Sequence, residues 1–288
     1  MGVALVTGSS TGIGLATAVA LARAGHQVVA TMRNPSRAPE LASTAAKEKL
    51  PIRVLPMDVD DDGSVRNTIG ELLSGGGRID ILVNNAGIAL LGPTEELPLA
   101  EFRRAMETNY FGALRCVKAV LPGMRERRSG HIIIVSSIGG RVSLPSEGPY
   151  NASKYALEAF SEGLAAEVMA LGIKVSILEP GTIDTPIFDK MRAAPPNPRY
   201  PHERRLFAIF KAGMPTASTP ALVGEKVVEI LNATEWKLRH LVGFDAAALM
   251  QYRASKTDEE WATMLGTESD HEFAAILKRE IGMEIDLS

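Results

Sequence analysis

Residues 7–14 of the chain read Thr-Gly-Ser-Ser-Thr-Gly-Ile-Gly (TGSSTGIG), and they lie between an apolar run and an amphipathic segment. Gly8 permits a turn without a Cβ, Gly12 allows the backbone to approach a pyrophosphate, and Gly14 allows the next helix to pack closely. The N-terminus of that helix then faces the anion. Three residues separate the first two glycines, which departs from the GxGxxG pattern and leaves a plain turn as the alternative. The stretch predicts a strand–loop–helix unit that binds a dinucleotide.

The alternation that starts at this loop continues to about residue 180, with short β-rich apolar runs between helix-length segments. Strands are predicted at 3–6, 27–31, 52–56, 79–83, 131–135 and 174–178. Helices are predicted at 13–23, 35–49, 61–73, 99–127 and 153–171. Because parallel neighbours need a crossover, this order predicts an α/β fold built on one doubly wound parallel sheet with flanking helices.

The sequence changes in character after Gly181. Residues 186–220 contain seven prolines among large apolar side chains, which favours a substrate lid at about 186–218, with ordinary core as the alternative. A helix at 221–231 and a last strand at 240–243 follow, and residues 244–288 are predicted to form a helical C-terminal extension. We treat 1–288 as one domain that carries both additions.

The composition is typical of a soluble globular protein, with 45% hydrophobic and 23% charged residues. The formal net charge of −3 gives no electrostatic argument for a nucleic acid or an anionic membrane as a partner. Cys116 is the single cysteine, so we expect a reducing, cytoplasmic setting. The five histidines lack metal-ligand spacing, and no apolar run approaches the roughly 18 residues of a transmembrane helix. We therefore expect no metal and no integral membrane span.

Asn84-Asn85-Ala86-Gly87 (NNAG) comes directly after the fourth predicted strand. These residue types suit a strand-to-loop transition at the carboxyl edge of a sheet, where open α/β folds bind ligands. By itself the tetrapeptide is more typical of a turn than of a binding site. Ser137 follows the fifth predicted strand, which brings it to the same edge.

Tyr150 and Lys154 are one helical turn apart and therefore share a helix face. An ammonium group beside a phenol lowers the phenol's pKa from about 10 toward the range in which it exchanges protons with an alcohol. A second pair at the same spacing, Tyr252 and Lys256, lies far from any predicted strand end, and we interpret it as surface chemistry. Tyr150 is the predicted functional tyrosine.

Together, TGSSTGIG, NNAG, Asn109, Ser137, YNASK at 150–154 and Pro180-Gly181 resemble the short-chain dehydrogenase/reductase family, in an ordered series from residue 3 to about 185. The resemblance implies a Rossmann fold, a nicotinamide cofactor and a catalytic tetrad. In that tetrad Tyr150 would be the acid/base and Ser137 would hydrogen-bond the substrate oxygen. Lys154 would bind the nicotinamide ribose and lower the pKa of Tyr150, and Asn109 would hold a water of the proton relay.

The resemblance also implies which residues bind the cofactor. The predicted set is Gly8, Ser10, Thr11, Gly12, Ile13, Gly14, Arg33, Asp58, Val59, Asn85, Ala86, Gly87, Tyr150, Lys154, Pro180, Gly181, Ile183 and Thr185. Asp58 would accept from the adenine amino group, and Thr185 would contact the nicotinamide carboxamide. Helix capping is the alternative for Asp58 and Thr185, and bridging of backbone groups inside a long helix is the alternative for Asn109.

The end of the second predicted strand indicates which cofactor is preferred. An NAD site places an acid about 20 residues past the glycine loop, where its charge repels a 2′-phosphate. This chain has TMRN at 31–34 and no acid before Glu40. Arg33 suits a charge-assisted contact to that phosphate, with a hydroxyl from Ser10 or Thr11, although a solvated arginine stacked on adenine is the alternative. NADP(H) is the predicted cofactor, and NAD(H) is the second choice.

A narrower resemblance, to the steroid and retinol dehydrogenase-like branch, rests on VVATMRN at 28–34 and LRHLVGFDA at 238–246. It implies a lipophilic substrate, so we expect an NADP(H)-preferring oxidoreductase that interconverts a lipophilic secondary alcohol and its ketone or aldehyde. Family members commonly pair through the helices predicted at 99–127 and 153–171, which implies a homodimer or homotetramer. The alternative is a catalytically silent, dinucleotide-sensing regulatory protein on the same fold.

Overall fold

The computed structural model describes residues 1–188 and 199–287. In this part of the chain, seven strands form one parallel sheet in the order β3-β2-β1-β4-β5-β6-β7. The strands are β1 (Val3–Thr7), β2 (Gln27–Met32), β3 (Ile52–Pro56), β4 (Ile81–Asn84), β5 (Gly130–Val135), β6 (Ile173–Pro180) and β7 (Arg239–Val242). This is the Rossmann-type doubly wound sheet that the alternation predicted, and its direction of growth reverses between β1 and β4.

The helices flank the sheet and fill the crossovers. They are α1 (Gly12–Arg23), α2 (Pro39–Glu48), α3 (Asp62–Leu73), α4 (Leu99–Met106), α5 (Gly112–Arg127), α6 (Gly148–Met169), α7 (His202–Gly213), α8 (Pro220–Asn232), α9 (Ala246–Ala254), α10 (Asp258–Leu265) and α11 (Asp270–Ile281). In the described residues no helix has both the length and the hydropathy that crossing a membrane requires.

Two apolar layers cover the two faces of the sheet. Successive strand residues contribute to opposite layers, as with Val6 on the side of α1 and α8 and Leu5 on the side of α3, α5 and α6. A strand that is buried on both faces must be apolar at every position. The strands therefore appear in the sequence as continuous apolar runs rather than as alternating ones.

Three helix boundaries differ from the predictions. The helix expected at 35–49 begins as a 3-10 turn at Pro35–Arg37, and α2 starts only at Pro39, since proline suits the first turn of a helix. The helix expected at 99–127 is divided into α4 and α5 by a π-helical turn, Glu107–Phe111. α6 begins at Gly148 rather than at residue 153, which brings Tyr150 into its first turn.

The C-terminal region is helical, as predicted, and α10 and α11 pack against α7 and Val142 in a third apolar cluster. Arg205 of α7 is only 1% exposed. Its guanidinium binds the Asp270 carboxylate with Nε 2.8 Å from Oδ1, donates to the carbonyls of Thr267 and Glu268, and lies 4.9 Å from the centre of the Phe273 ring. These contacts fasten α7, which belongs to the predicted lid, to the C-terminal extension. Residues 189–198 of the predicted lid lie outside the described residues.

Candidate active site

The motifs singled out in the sequence meet at the carboxyl edge of the sheet. TGSSTGIG follows β1 and NNAG begins at the end of β4, and these two strands are paired neighbours. Ser137 lies two residues after β5, and Pro180 is the last residue of β6. Ligands bind to open α/β sheets in the crevice where strand order reverses, at this same edge. The fold therefore assembles one candidate site from segments that are far apart in sequence.

Two glycines of the first loop adopt conformations that favour glycine. Gly8 has a φ of +67°, and a Cβ there would lie 2.7 Å from the Cα of Ala86. Gly12 has a φ of +57°, and its Cβ would lie 3.2 Å from the Cβ of Thr185. Because neither glycine has a Cβ, the loop lies in close contact with NNAG at Gly8 and with the segment after β6 at Gly12.

Gly14 lies where the first turn of α1 comes close to its own loop and to NNAG. A Cβ at Gly14 would lie 2.4 Å from the Asn85 amide nitrogen and 2.4 Å from the carbonyl oxygen of Gly8. The missing Cβ therefore leaves room for the Asn85 side chain and lets the first turn of α1 pack closely against the loop that precedes it. Asn85 uses this space, since its amide donates to the carbonyls of Thr7 at 3.0 Å and Gly8 at 3.1 Å.

Thr7 completes the junction between the two loops and was absent from the predicted set. Its Oγ1 accepts hydrogen bonds from the backbone N–H groups of Asn85 and Ala86, each at 3.0 Å. The sequence signal was a hydroxyl side chain on the last residue of β1, immediately before Gly8. The next residue of NNAG, Gly87, is exposed beside Asn109.

The N-terminus of α1 presents backbone N–H groups that its N-cap residue leaves unbonded. Thr11 is exposed and extended at φ −156°, and its side chain makes no capping hydrogen bond. Ser10 and Ile13, on either side, are partly buried. Uncapped N–H groups at a helix start attract an anion. The geometry therefore suits the pyrophosphate contact predicted for this loop.

The segment after β6 is held in place by a residue that the prediction missed. The Asp245 carboxylate accepts from the backbone N–H of Thr182 at 2.9 Å, and a Cβ at Gly181 would lie 2.0 Å from its Oδ1. Ile183 is buried and forms a parallel bridge with Ser218. The acid of the LRHLVGFDA stretch was the available signal, and it fixes the backbone that carries Thr185.

The residues predicted to contact the adenosine end of a dinucleotide lie at the ends of β2 and β3. Arg33 is exposed and follows β2 directly. Asp58 accepts from the N–H of Asp60 at 3.1 Å, whereas Asp61 accepts the capping hydrogen bond of α3, so Asp58 does not cap that helix. The carbonyl of Val59 accepts from Arg115 at 3.2 Å.

Ser137, Tyr150 and Lys154 come together behind a glycine of the turn that follows β5. A Cβ at Gly139 would lie 3.2 Å from Cε1 of Tyr150 and 3.3 Å from Oγ of Ser137, so both side chains flank Gly139. Lys154 is buried, its Nζ donates to the carbonyl of Val135 at 2.9 Å, and it lies 5.8 Å from the centre of the Tyr150 ring. A hydroxyl, a phenol and an ammonium therefore share one small region.

The pKa of Tyr150 moves in the direction opposite to the one expected. Burial raises it to about 12, the side chain of Ser137 lowers it, and Glu147 raises it again. Burial lowers the pKa of Lys154 to about 8, against the raising effect of Glu158. Desolvation dominates both shifts because it disfavours whichever form is charged. Tyr150 is consequently a neutral phenol near pH 7, able to donate a proton.

Asn109 lies in the π-helical turn, a feature that is frequent at functional sites. Its amide nitrogen donates to the carbonyl of Ile88 at 2.9 Å and to Oγ of Ser153 at 2.8 Å, and its oxygen accepts from the N–H of Ile88 at 2.8 Å. The side chain does bridge backbone groups, but those groups belong to the loop after β4 rather than to its own helix. Through Ser153, which donates to the carbonyl of Tyr150 at 2.7 Å, it links that loop to α6.

The second tyrosine–lysine pair is not the surface pair that we predicted. Tyr252 and Lys256 are partly buried, and both donate to the same Oε2 of Glu280, at 2.7 Å and 2.6 Å. Burial and the bond to Glu280 raise the pKa of Tyr252 to about 12. This pair joins α9 to α11 within the C-terminal extension.

Comparison with known proteins gives a consistent picture. Residues 2–196 match the short chain dehydrogenase family. Retinol dehydrogenase 8 of Homo sapiens is 38% identical over 250 residues, which is 82% of this chain and 79% of that protein. A short-chain dehydrogenase from Streptomyces avermitilis superposes with a TM-score of 0.77 at 36% identity, covering 88% of this chain and 93% of that one.

A gluconate 5-dehydrogenase from Burkholderia cenocepacia J2315, solved in complex with NADP and tartrate, is similar at 26% identity and a TM-score of 0.72. That match covers 85% of this chain and 95% of the other. The similarity to retinol and steroid enzymes confirms the narrower resemblance found in the sequence. On the fold, the assembled site and these matches, the chain belongs to the short chain dehydrogenase family of oxidoreductases, which act on alcohols and carbonyl compounds, in its steroid and retinol dehydrogenase-like branch.

Proposed function

We propose that this oxidoreductase interconverts a lipophilic secondary alcohol and its ketone or aldehyde, with NADP(H) as the preferred cofactor and Tyr150 as the acid/base. The observation that carries the proposal is the arrangement around Gly139, where Ser137 and Tyr150 flank one backbone position and Lys154 lies against the phenol ring. A proton donor, a hydrogen-bond donor and a cation therefore lie close together, and these are the groups that protonation of a carbonyl oxygen requires.

Each side chain has a distinct part in carbonyl reduction. Tyr150, a neutral phenol near pH 7, donates its proton to the carbonyl oxygen as negative charge develops there. Ser137 donates a hydrogen bond to the same oxygen and orients it. Lys154 opposes the negative charge that proton transfer leaves on the phenol oxygen. Asn109 keeps the loop after β4 in register with α6. The nicotinamide cofactor, when bound, supplies the hydride.

The loop after β1 and the end of β2 fit a dinucleotide that carries a 2′-phosphate. Gly8 and Gly12 leave the backbone bare, and Thr11 leaves the N-terminus of α1 uncapped. Arg33 is exposed at the end of β2, where a 2′-phosphate needs a cation, and it forms no salt bridge within residues 1–188 and 199–287. The NADP in the Burkholderia relative supports the same choice.

The apolar surroundings of α7 support a lipophilic substrate. Leu206 is buried, and Ile209 packs against the third apolar cluster together with Leu144, which lies on the loop between Ser137 and Tyr150. The same cluster includes side chains of α10 and α11, so the C-terminal extension packs against the loop between Ser137 and Tyr150. The similarity to retinol dehydrogenase 8 agrees with a substrate of this class.

Turnover on a panel of ketones tests the proposal. We expect the purified protein to oxidise NADPH with long-chain or cyclic ketones and to work poorly with short polar ones, because burial of apolar surface supplies binding energy. The measurement is the loss of NADPH absorbance, alongside cofactor binding by fluorescence. Cofactor binding without any NADPH consumption across the panel would instead support the regulatory alternative.

A homodimer or homotetramer is also proposed. Phe111, Tyr155 and Met169 are exposed large apolar side chains in the π-helical turn and on α6, and such residues are enriched where subunits meet. Light scattering should give two or four times the 30.8 kDa chain mass at micromolar concentration. Tyr155→Glu should shift that mass toward the monomer, while Ile281→Glu, which changes an exposed apolar side chain at the end of α11, should not. A monomeric wild-type mass contradicts the assembly and leaves the catalytic proposal standing.

The cytoplasmic setting remains part of the proposal. It is supported by Cys116 being the single cysteine of the chain, because proteins of oxidising compartments are commonly held by disulfides and this chain can form none within itself.

A further inference from the structure

A group of charged side chains lies behind Lys154, which we call the glutamate–arginine cluster: Glu158, Glu162, Glu179, Arg141 and Arg239. Arg239 donates through Nε to Oε2 of Glu158 at 3.0 Å, and through its terminal nitrogen to Glu162 at 2.6 Å. Its Nε lies 3.6 Å from Oε1 of Glu179, and Arg141 reaches the same oxygen at 3.3 Å. Glu158 and Glu179 are buried, while Glu162 is exposed.

The cluster joins the elements that carry the proposed catalytic groups. Glu158 lies on α6, one helical turn after Lys154, and Arg239 begins β7. A Cβ at Gly140 would lie 3.0 Å from Cγ of Glu158 and 3.1 Å from the carbonyl oxygen of Lys154. Glu158 therefore packs directly against the turn that follows Ser137, and its position is fixed on two sides.

The charges of the cluster complement that of the buried ammonium. Three carboxylates and two guanidiniums carry a formal charge of −1, and Lys154 carries +1. The hydrogen-bond acceptor of Lys154 is the neutral carbonyl of Val135, so this contact does not balance the charge. Oε1 of Glu158 is buried and has no hydrogen-bond partner among the described residues. A buried ammonium requires a compensating negative charge nearby.

We propose that Glu158 is a positioning residue, which keeps Lys154 in its ammonium form and ties α6 to β7 through Arg239. The inference rests on the proposed role of Lys154 beside Tyr150. It goes beyond the four proposed catalytic residues because Glu158 acts through Lys154 and not on the substrate.

The groups that face Lys154 set the direction of the effect. Tyr150 and Glu158 lie on its own helix, and Glu158 is the charged group that acts on Lys154 directly. Arg239 of β7, Glu179 of β6 and Arg141 of the turn after β5 are linked to Glu158 by ion pairs and act on Lys154 through it. Burial lowers the pKa of Lys154 to about 8, and Glu158 raises it. Neutralising Glu158 therefore lowers this pKa further, and a larger fraction of Lys154 becomes uncharged near pH 7.

Titration of Lys154 by NMR tests the inference without any turnover. Protein labelled with ¹³C at lysine Cε is titrated in the absence of cofactor, and the Lys154 resonance is identified by its loss in Lys154→Arg. Glu158→Gln should lower the midpoint of the titration by about one pH unit, as expected for loss of an adjacent opposite charge. Glu162→Gln is the matched control, since it removes an exposed carboxylate from the same arginine, and it should leave the midpoint unchanged.

Arg239→Gln gives a prediction of opposite sign. It leaves the Glu158 charge uncompensated, so the Lys154 midpoint should rise, whereas a merely structural cluster would move both variants in the same direction. In each variant, the alkaline limb of kcat against pH should shift in the same direction as the NMR midpoint, with KM for the ketone unchanged. An unshifted midpoint in Glu158→Gln overturns the inference even if activity falls.

A wild-type protein without turnover would contradict the proposed function, while the shifts of opposite sign would still support the role of Glu158. If Glu158→Gln fails to fold, an unchanged or lowered midpoint in Arg239→Gln overturns the inference.

Discussion

Tyr150→Phe is expected to lower kcat for ketone reduction by roughly 10²–10⁴-fold, the usual contribution of a general acid, and to leave cofactor binding nearly intact. The substitution removes one oxygen and keeps the ring between Gly139 and Lys154. The proton that the carbonyl oxygen needs then has no donor at that position. Steady-state rates and cofactor fluorescence titrations on the same preparation measure the two quantities separately.

Tyr252→Phe is the matched control because the chain contains a second tyrosine four residues before a lysine. Its hydroxyl contacts Met264 and donates to Glu280, and both of these residues belong to the C-terminal extension. Its loss should cost some stability and little activity. Retained activity in Tyr150→Phe, or a selective loss in Tyr252→Phe, would show that the tyrosine was assigned wrongly.

The second large effect is expected at Arg33. A charge-assisted contact to a phosphate contributes about 1.5–3 kcal/mol, so Arg33→Ala should lower kcat/KM with NADPH by roughly 10–100-fold and leave the value with NADH almost unchanged. Arg33→Asp should invert the preference, because the carboxylate repels a 2′-phosphate and accepts from a ribose hydroxyl. The acid belongs at position 33, since Met32 is buried in the apolar core.

Arg23→Ala serves as the control for Arg33. Arg23 is also exposed, but it ends α1 and pairs with Glu48, at the end of that helix remote from the glycine loop. Arg23→Ala should leave kcat/KM unchanged both with NADPH and with NADH. A higher kcat/KM with NADH than with NADPH in the unmodified protein would refute the proposed contact between Arg33 and the 2′-phosphate. It would also refute the hydroxyl contact to that phosphate from Ser10 or Thr11.

The sequence by itself determined the sheet and the identity of the loops at its edge. The spacing of apolar residues is a local property, so the apolar runs at 3–6 and 131–135 were recognisable as strands buried on both faces. Because parallel strands need crossovers, the order of elements determined the doubly wound topology. The same reasoning predicted that the motifs after β1, β4 and β5 lie at one edge of the sheet.

The tertiary structure alone decided which residues hold those loops together. Thr7 and Asp245 are single polar residues whose partners lie 78 and 63 positions away, and no local pattern encodes such a distance. The bridge from Asn109 to Ile88 depends equally on packing.

The pKa values of the site residues also could not be predicted from the sequence. The spacing of Tyr150 and Lys154 suggested a lowered phenol pKa, but burial, which only the folded chain defines, raises it instead. Tyr252 and Lys256 have the same spacing and meet Glu280, so the shared helix face determined neither pair's chemistry. A local sequence pattern sets which side chains can meet, and the fold sets the solvent and the partners that decide what they do.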